Sequence, residues 1–158
     1  MKGEEIMKIL SLDQSTAKTG YSIFIDSELK SYGMIRPSKK LSNDNKISML
    51  IRLSEFIKKE NPDLILIEDV YMKKGPRFNV HTHKILSNMQ GMIISFCVLN
   101  NFDYEIIHPT TWKTRVVGKE KLSKADTQSY LKNKYNKTFK EDEADAVCIG
   151  LYFLLKNS

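Results

Sequence analysis

Residues 8 to 22 read Lys-Ile-Leu-Ser-Leu-Asp-Gln-Ser-Thr-Ala-Lys-Thr-Gly-Tyr-Ser, an apolar run that ends on an acid, Asp13, ahead of small hydroxyl residues and Gly20. The run has strand length. A carboxylate at the end of a strand stands where the backbone leaves the sheet and ligands have access. Aspartate in that place also bonds its own turn, so Asp13 alone does not separate a site from a turn-former.

The flanking sequence builds an α/β pattern. Tyr21 to Ile25 and Leu29 to Ile35 alternate well enough for a hairpin turning at Asp26-Ser27-Glu28. Asn43 or Asp44 can cap a helix whose apolar positions Ile47, Leu50, Ile51 and Ile57 follow helical spacing, and Asn61-Pro62 stops it. Leu64 to Ile67 is then a continuous apolar run, the mark of a central strand covered on both faces, and it ends on Glu68. Strand, helix, strand in one sheet implies a parallel pair with a right-handed crossover. Asp13 and Glu68 should therefore emerge at one edge.

Val80, Ile85, Met89, Met92, Ile93, Phe96 and Cys97 mark a long helical stripe, either core or a face between subunits, with Gly91 where another backbone can approach. Tyr104 to Ile107 is a further strand, ended by His108-Pro109. Ser123 and Asp126 form a box that starts a helix through about Lys134. The last helix runs from about Glu143 to Leu155, with Ala144, Val147, Cys148, Leu151 and Leu155 inward and Asp142 and Asp145 at its start. Residues three apart share a helix face, so these two carboxylates point the same way. Acids in a first turn also serve the helix dipole.

Composition narrows the partners. At 158 residues and 41% apolar content the chain is one domain, able to bury a core without disulfides. Twenty-five Lys and Arg against 19 Asp and Glu give a formal +6, which favours a polyanion. Basic residues cluster in Lys73-Lys74-Gly75-Pro76-Arg77 and between Lys113 and Lys124, including Lys119 and Lys121. Cys97 and Cys148 fall in apolar helical patterns and read as reduced core residues. No apolar leader is visible and no stretch nears the roughly 20 residues of a membrane span, so a cytoplasmic protein is expected.

Four acids at separate strand or helix ends make a stronger signal than any one. Hard oxygen ligands suit Mg²⁺, held by carboxylates, water and substrate phosphate, and paired ions about 3.5 to 4 Å apart assist phosphodiester cleavage. Leu12-Asp13, Ile67-Glu68-Asp69-Val70-Tyr71-Met72, Val116-Val117-Gly118 with Ser123-Lys124, and Asp142-Glu143-Ala144-Asp145-Ala146 together resemble the RuvC family of Holliday-junction resolvases, over nearly the whole chain. The resemblance implies a ribonuclease-H-like fold with a mixed five-stranded sheet and helices on both faces. It further implies a homodimer, Mg²⁺ or Mn²⁺ with two ions per site, and paired nicks in four-way junctions. By matching position it assigns Asp13, Glu68, Asp142 and Asp145 as metal ligands, Lys124 as a basic residue near the scissile phosphate, and Tyr71 as an aromatic that stacks on bases. Lys73, Lys74, Arg77, Lys113, Lys119 and Lys121 would meet DNA phosphate.

Two departures stand out. Gln14-Ser15 replaces the Pro-Gly pair usual in cellular members, and the short end after the last helix looks like the phage-borne branch. Two rivals remain on sequence grounds. One is an actin or sugar-kinase-like phosphate loop at Asp13 to Gly20, which requires a second domain. The other is a noncatalytic branched-DNA-binding protein, against which four acids in a DNA groove argue. His81 and His83, two apart on a helix, do not share a face and make a poor metal pair. Trp112 either stacks on DNA or packs within its own domain.

Overall fold

The computed structural model describes residues 7–71, 75, 76, 78–118 and 123–158. The DNA contacts expected at Lys73, Lys74, Arg77, Lys119 and Lys121 lie outside the described residues.

Strands β1 (Lys8–Asp13), β2 (Thr19–Ile25) and β3 (Glu28–Ile35) precede α1 (Asn45–Glu60) and β4 (Leu64–Glu68). Then come α2 (Val80–Leu99), β5 (Tyr104–Ile107), a short α3 (Pro109–Trp112), a π-helical turn over Lys113–Val117, α4 (Lys124–Tyr135) and α5 (Glu141–Lys156). The local causes are readable. Asp26 and Ser27 both have positive φ, 50° and 70°, which closes the β2–β3 hairpin with the twist that a two-residue turn requires. The Asp44 carboxylate accepts from Lys46 N at 2.9 Å to cap α1. Asn61, at φ 46° just before Pro62, ends it.

The sheet order is β3-β2-β1-β4-β5, with β1 antiparallel to β2 and parallel to β4, and β4 parallel to β5. Period-two alternation along β1 and β4 builds two cores. Leu10, Leu12, Ile65 and Ile67 face α1 and α2, whose Met49, Leu53, Ile57, Met89, Ile93 and Cys97 cover them. Ile9 and Leu66 face the other way, onto Val147, Cys148 and Leu151 of α5 with Trp112 and Leu131. A strand buried on both faces reads as an unbroken apolar run, which is why Leu64 to Ile67 was legible. Cys97 and Cys148 are free and buried. Among the described residues no helix is long and apolar enough to cross a membrane.

Leu155, expected inward, and Val80, expected in a stripe that is either core or a face between subunits, both point outward. Val80 is 54% and Leu155 55% exposed. Each sits in a terminal turn, one before α2 reaches the sheet and one after α5 has passed it, so helical spacing alone misplaces them.

Candidate active site

Leu12 of β1 pairs with Ile67 of β4 in the parallel ladder. Asp13 and Glu68, one residue further along each strand, therefore leave the sheet side by side at its carboxyl edge. Asp142 and Asp145 arrive from the first turns of α5, whose start is seated on the opening residues of β2. Gly20 makes that seat possible: a Cβ there would lie 2.1 Å from the main-chain oxygen of Asp142. Its role is space rather than unusual backbone.

The carboxylates share one field. Burial, then Glu68, then Asp145 and Asp142, hold the Asp13 carboxyl well above the ordinary aspartate range. Burial and Glu68 push Asp145 up to about 7, with Lys113 opposing and Glu141 and Asp142 adding. Asp13 and Glu68 line one pocket, and Asp142 and Asp145 lie within electrostatic reach of Asp13. They do not form a closed cage, since among the described residues no three His, Cys, Asp or Glu side chains group tightly enough to hold a metal ion.

Cations and donors surround them. Lys18 Nζ lies 3.1 Å from Asp142 Oδ2. Lys113 lines the pocket that Asp13, Gln14, Glu68 and Tyr71 also line. Lys124, expected as a basic residue near the scissile phosphate, is exposed, and its Nζ pairs with Glu141 at 2.8 Å. It still lies within electrostatic reach of Asp142 and Asp145. Lys113, expected only among the DNA-contacting lysines, is the cation that lines the pocket among the described residues. Tyr71 packs against His108 with ring centroids 5.1 Å apart, and His83 packs on Phe78 rather than joining His81.

Sequence reasoning missed what steadies Glu68. Trp112 is buried, and its indole Nε1–H donates to Glu68 Oε2 at 2.9 Å. The Gln14 amide donates to the main-chain oxygen of Glu68. Gln14 follows Asp13, the last residue of the strand beside β4, and Trp112 is the neighbour of Lys113, so adjacency to site residues was the available signal.

A mixed sheet in this order, with acids gathered at the carboxyl ends of its central parallel strands, defines an acid-site protein of the ribonuclease-H-like fold. A sequence profile described as crossover junction endodeoxyribonuclease RuvC matches residues 9–152, and the chain belongs to that family. The RuvC of Caldicellulosiruptor saccharolyticus is 27% identical over 161 residues, 96% of this chain and 95% of the relative. That of Finegoldia magna is 29% identical over 153 residues, 92% and 91% of the two chains. The fold is similar to Thermus thermophilus RuvC solved with a Holliday junction substrate, at TM-score 0.75 and 12% identity over 96% of this chain and 94% of that one. It is also similar to the yeast mitochondrial Holliday junction resolvase, at TM-score 0.56 and 12% identity over 94% and 79%.

Proposed function

We propose that this chain is a metal-dependent, structure-selective DNA endonuclease that resolves four-way junctions by paired nicks, leaving 5′-phosphate and 3′-hydroxyl ends. The observation that carries it is the pairing that puts Asp13 and Glu68 side by side in one pocket at the sheet edge, with Asp142 and Asp145 of α5 within electrostatic reach of Asp13. A protein that only held DNA would gain nothing from burying acids against each other in its groove. That argument favours catalysis over the noncatalytic reading.

The donor set fits hard divalent cations. Carboxyls whose ionisation is held back by burial and by one another are discharged most readily by Mg²⁺ or Mn²⁺. Asp13, Glu68, Asp142 and Asp145 would hold two such ions, which when bound supply an activated water and charge neutralisation at the phosphate. Lys113 in the pocket and Lys124, within electrostatic reach of Asp142 and Asp145, offset negative charge gathering on the phosphate oxygens. Tyr71 offers a face on which a base at the branch point can stack. Lys73, Lys74, Arg77, Lys119 and Lys121 bind backbone phosphate and fix the register of the duplex. The whole chain acts as one nuclease domain in the cytoplasm.

Resolution requires two sites, so the working unit is an isologous homodimer. The outer face of α2 suits the contact: Gly91 is exposed, and a Cβ there would meet nothing within 4 Å in its own chain. Gly91→Arg should leave the fold intact and convert the dimer to monomer in light scattering. A dimer that survives this change uses another face.

One gel tests the activity, with labelled four-way, three-way, flap and linear DNA with and without Mg²⁺. Symmetric Mg²⁺-dependent nicks are expected, fastest in the four-way junction. Junction binding with no cleavage of any branched DNA would establish the noncatalytic reading instead.

A further inference from the structure

Trp112 is the single tryptophan of the chain, and its surroundings are split. The ring lies in the core between the sheet and α5 and is 1% exposed. Its one polar atom reaches out of that core to a carboxylate oxygen of Glu68 at 2.9 Å. An indole N–H is donor only. A buried indole finds an acceptor as a rule, yet neutral carbonyls usually serve. Here the acceptor is an acid that the site reading makes a metal ligand. Hydrogen bonds to a charged oxygen are shorter and stronger than neutral ones.

The local backbone explains how the ring gets there. Pro109 opens the short α3 and the chain widens into the π-helical turn over Lys113–Val117, stopped by Gly118 at φ 83°. Such wide turns tend to occur at functional sites because they re-aim side chains that an α-helix would carry past. In this case two consecutive residues serve one pocket. Lys113 lines it, with Nζ 5.5 Å from the Trp112 ring, while the indole holds Glu68 from within the core. Gln14 grips the same residue by its main-chain oxygen, so Glu68 is fixed at both ends.

We infer that Trp112 is a positioning residue: its indole N–H sets the orientation in which Glu68 presents its carboxylate to a divalent cation, and its emission reports that cation directly. The inference rests on the reading of Glu68 as a ligand. A donor in the second layer around a metal restricts its ligand's rotation, and losing it costs on the order of 10- to 100-fold in metal affinity or activity. Because the indole shares its proton with the ligand itself, cation charge arriving at Glu68 changes the field across the ring.

The test uses the full chain and Mg²⁺ alone, without DNA, exciting where tyrosine does not absorb. Wild-type emission should change saturably with Mg²⁺, and the change should vanish in Glu68→Gln, which keeps the tryptophan. In parallel, Trp112→Phe keeps the ring and removes the N–H. Its half-saturating Mg²⁺ for nicking should rise about tenfold, with metal-free junction binding unchanged. Flat wild-type emission across the range in which nicking saturates overturns the inference. So does an equal change in Glu68→Gln, or a wild-type Mg²⁺ requirement in Trp112→Phe. If Trp112→Phe does not fold, the two emission titrations still decide. Emission that responds to Mg²⁺ only when Glu68 is present, in a protein that nicks no branched DNA, upholds the role of Trp112 and overturns the nuclease reading alone.

Discussion

Asp145→Asn is expected to reduce nicking on the order of 10³-fold and, at the same time, to make the metal-free protein more stable. The two effects have one cause. Asp145 ionises at about 7 rather than at its ordinary value of 3.8, because burial and Glu68 disfavour its charge. A carboxyl raised in the folded state binds its proton more tightly folded than unfolded. Its favourable contribution is complete below about pH 4, falls as pH rises through the interval, and is lost above about pH 7. Asp13, raised for the same reasons with burial first, pulls in the same direction. In chelator, then, wild-type stability should decline between pH 4 and pH 7. Asparagine removes the Asp145 share of that decline, worth roughly 2 kcal/mol at pH 8 once solvent relaxation is allowed for. Urea unfolding at pH 5 and pH 8 in chelator reads the slope, and a gel shift in chelator should find junction binding intact. An Asp145→Asn protein that is less stable than wild type at pH 8, or that nicks at the wild-type rate, removes the acid from the role given to it. Asp13→Asn should behave alike.

The part of this site that was legible in the sequence is the part written in strand periodicity. Leu10, Leu12, Ile65 and Ile67 share one face of the sheet and Ile9 and Leu66 the other. Two apolar runs that each end on an acid could hardly be paired in parallel without bringing Asp13 and Glu68 together. Asp142 and Asp145 followed from helical spacing. What stayed hidden depends on contacts between distant segments. No local pattern announces a π-helical turn, so Trp112 read as a DNA-stacking or core residue, and its bond to a residue 44 positions earlier was invisible. The surroundings of the lysines were hidden for a related reason: Lys124 pairs with Glu141, whereas Lys113, on the unforeseen turn, lines the pocket. Gln14 read only as a departure from the usual Pro-Gly pair because the strand that accepts its amide hydrogen bond is far away in the chain.

Gly20→Ala should cost the most for the smallest chemical change. Gly20 pairs with Asp13 across β1 and β2, so it sits directly beside the first acid while supporting the helix that carries two others. An added methyl would stand 2.1 Å from the Asp142 main-chain oxygen, 2.4 Å from its carbonyl carbon and 3.0 Å from its Cβ. The obstacle is the backbone of the first turn of α5 rather than a flexible side chain, so the helix start must move as a unit. Overpacking of this kind costs about 1 to 3 kcal/mol. Displacing Asp142 and Asp145 by on the order of 1 Å should lower nicking about 10²-fold even where the protein is fully folded. Thermal melts with single-turnover nicking at saturating Mg²⁺ separate the two effects. If Gly20→Ala melts and cuts like wild type, α5 is not braced on β2 at this point, and the convergence of Asp142 and Asp145 on Asp13 must be held by something else.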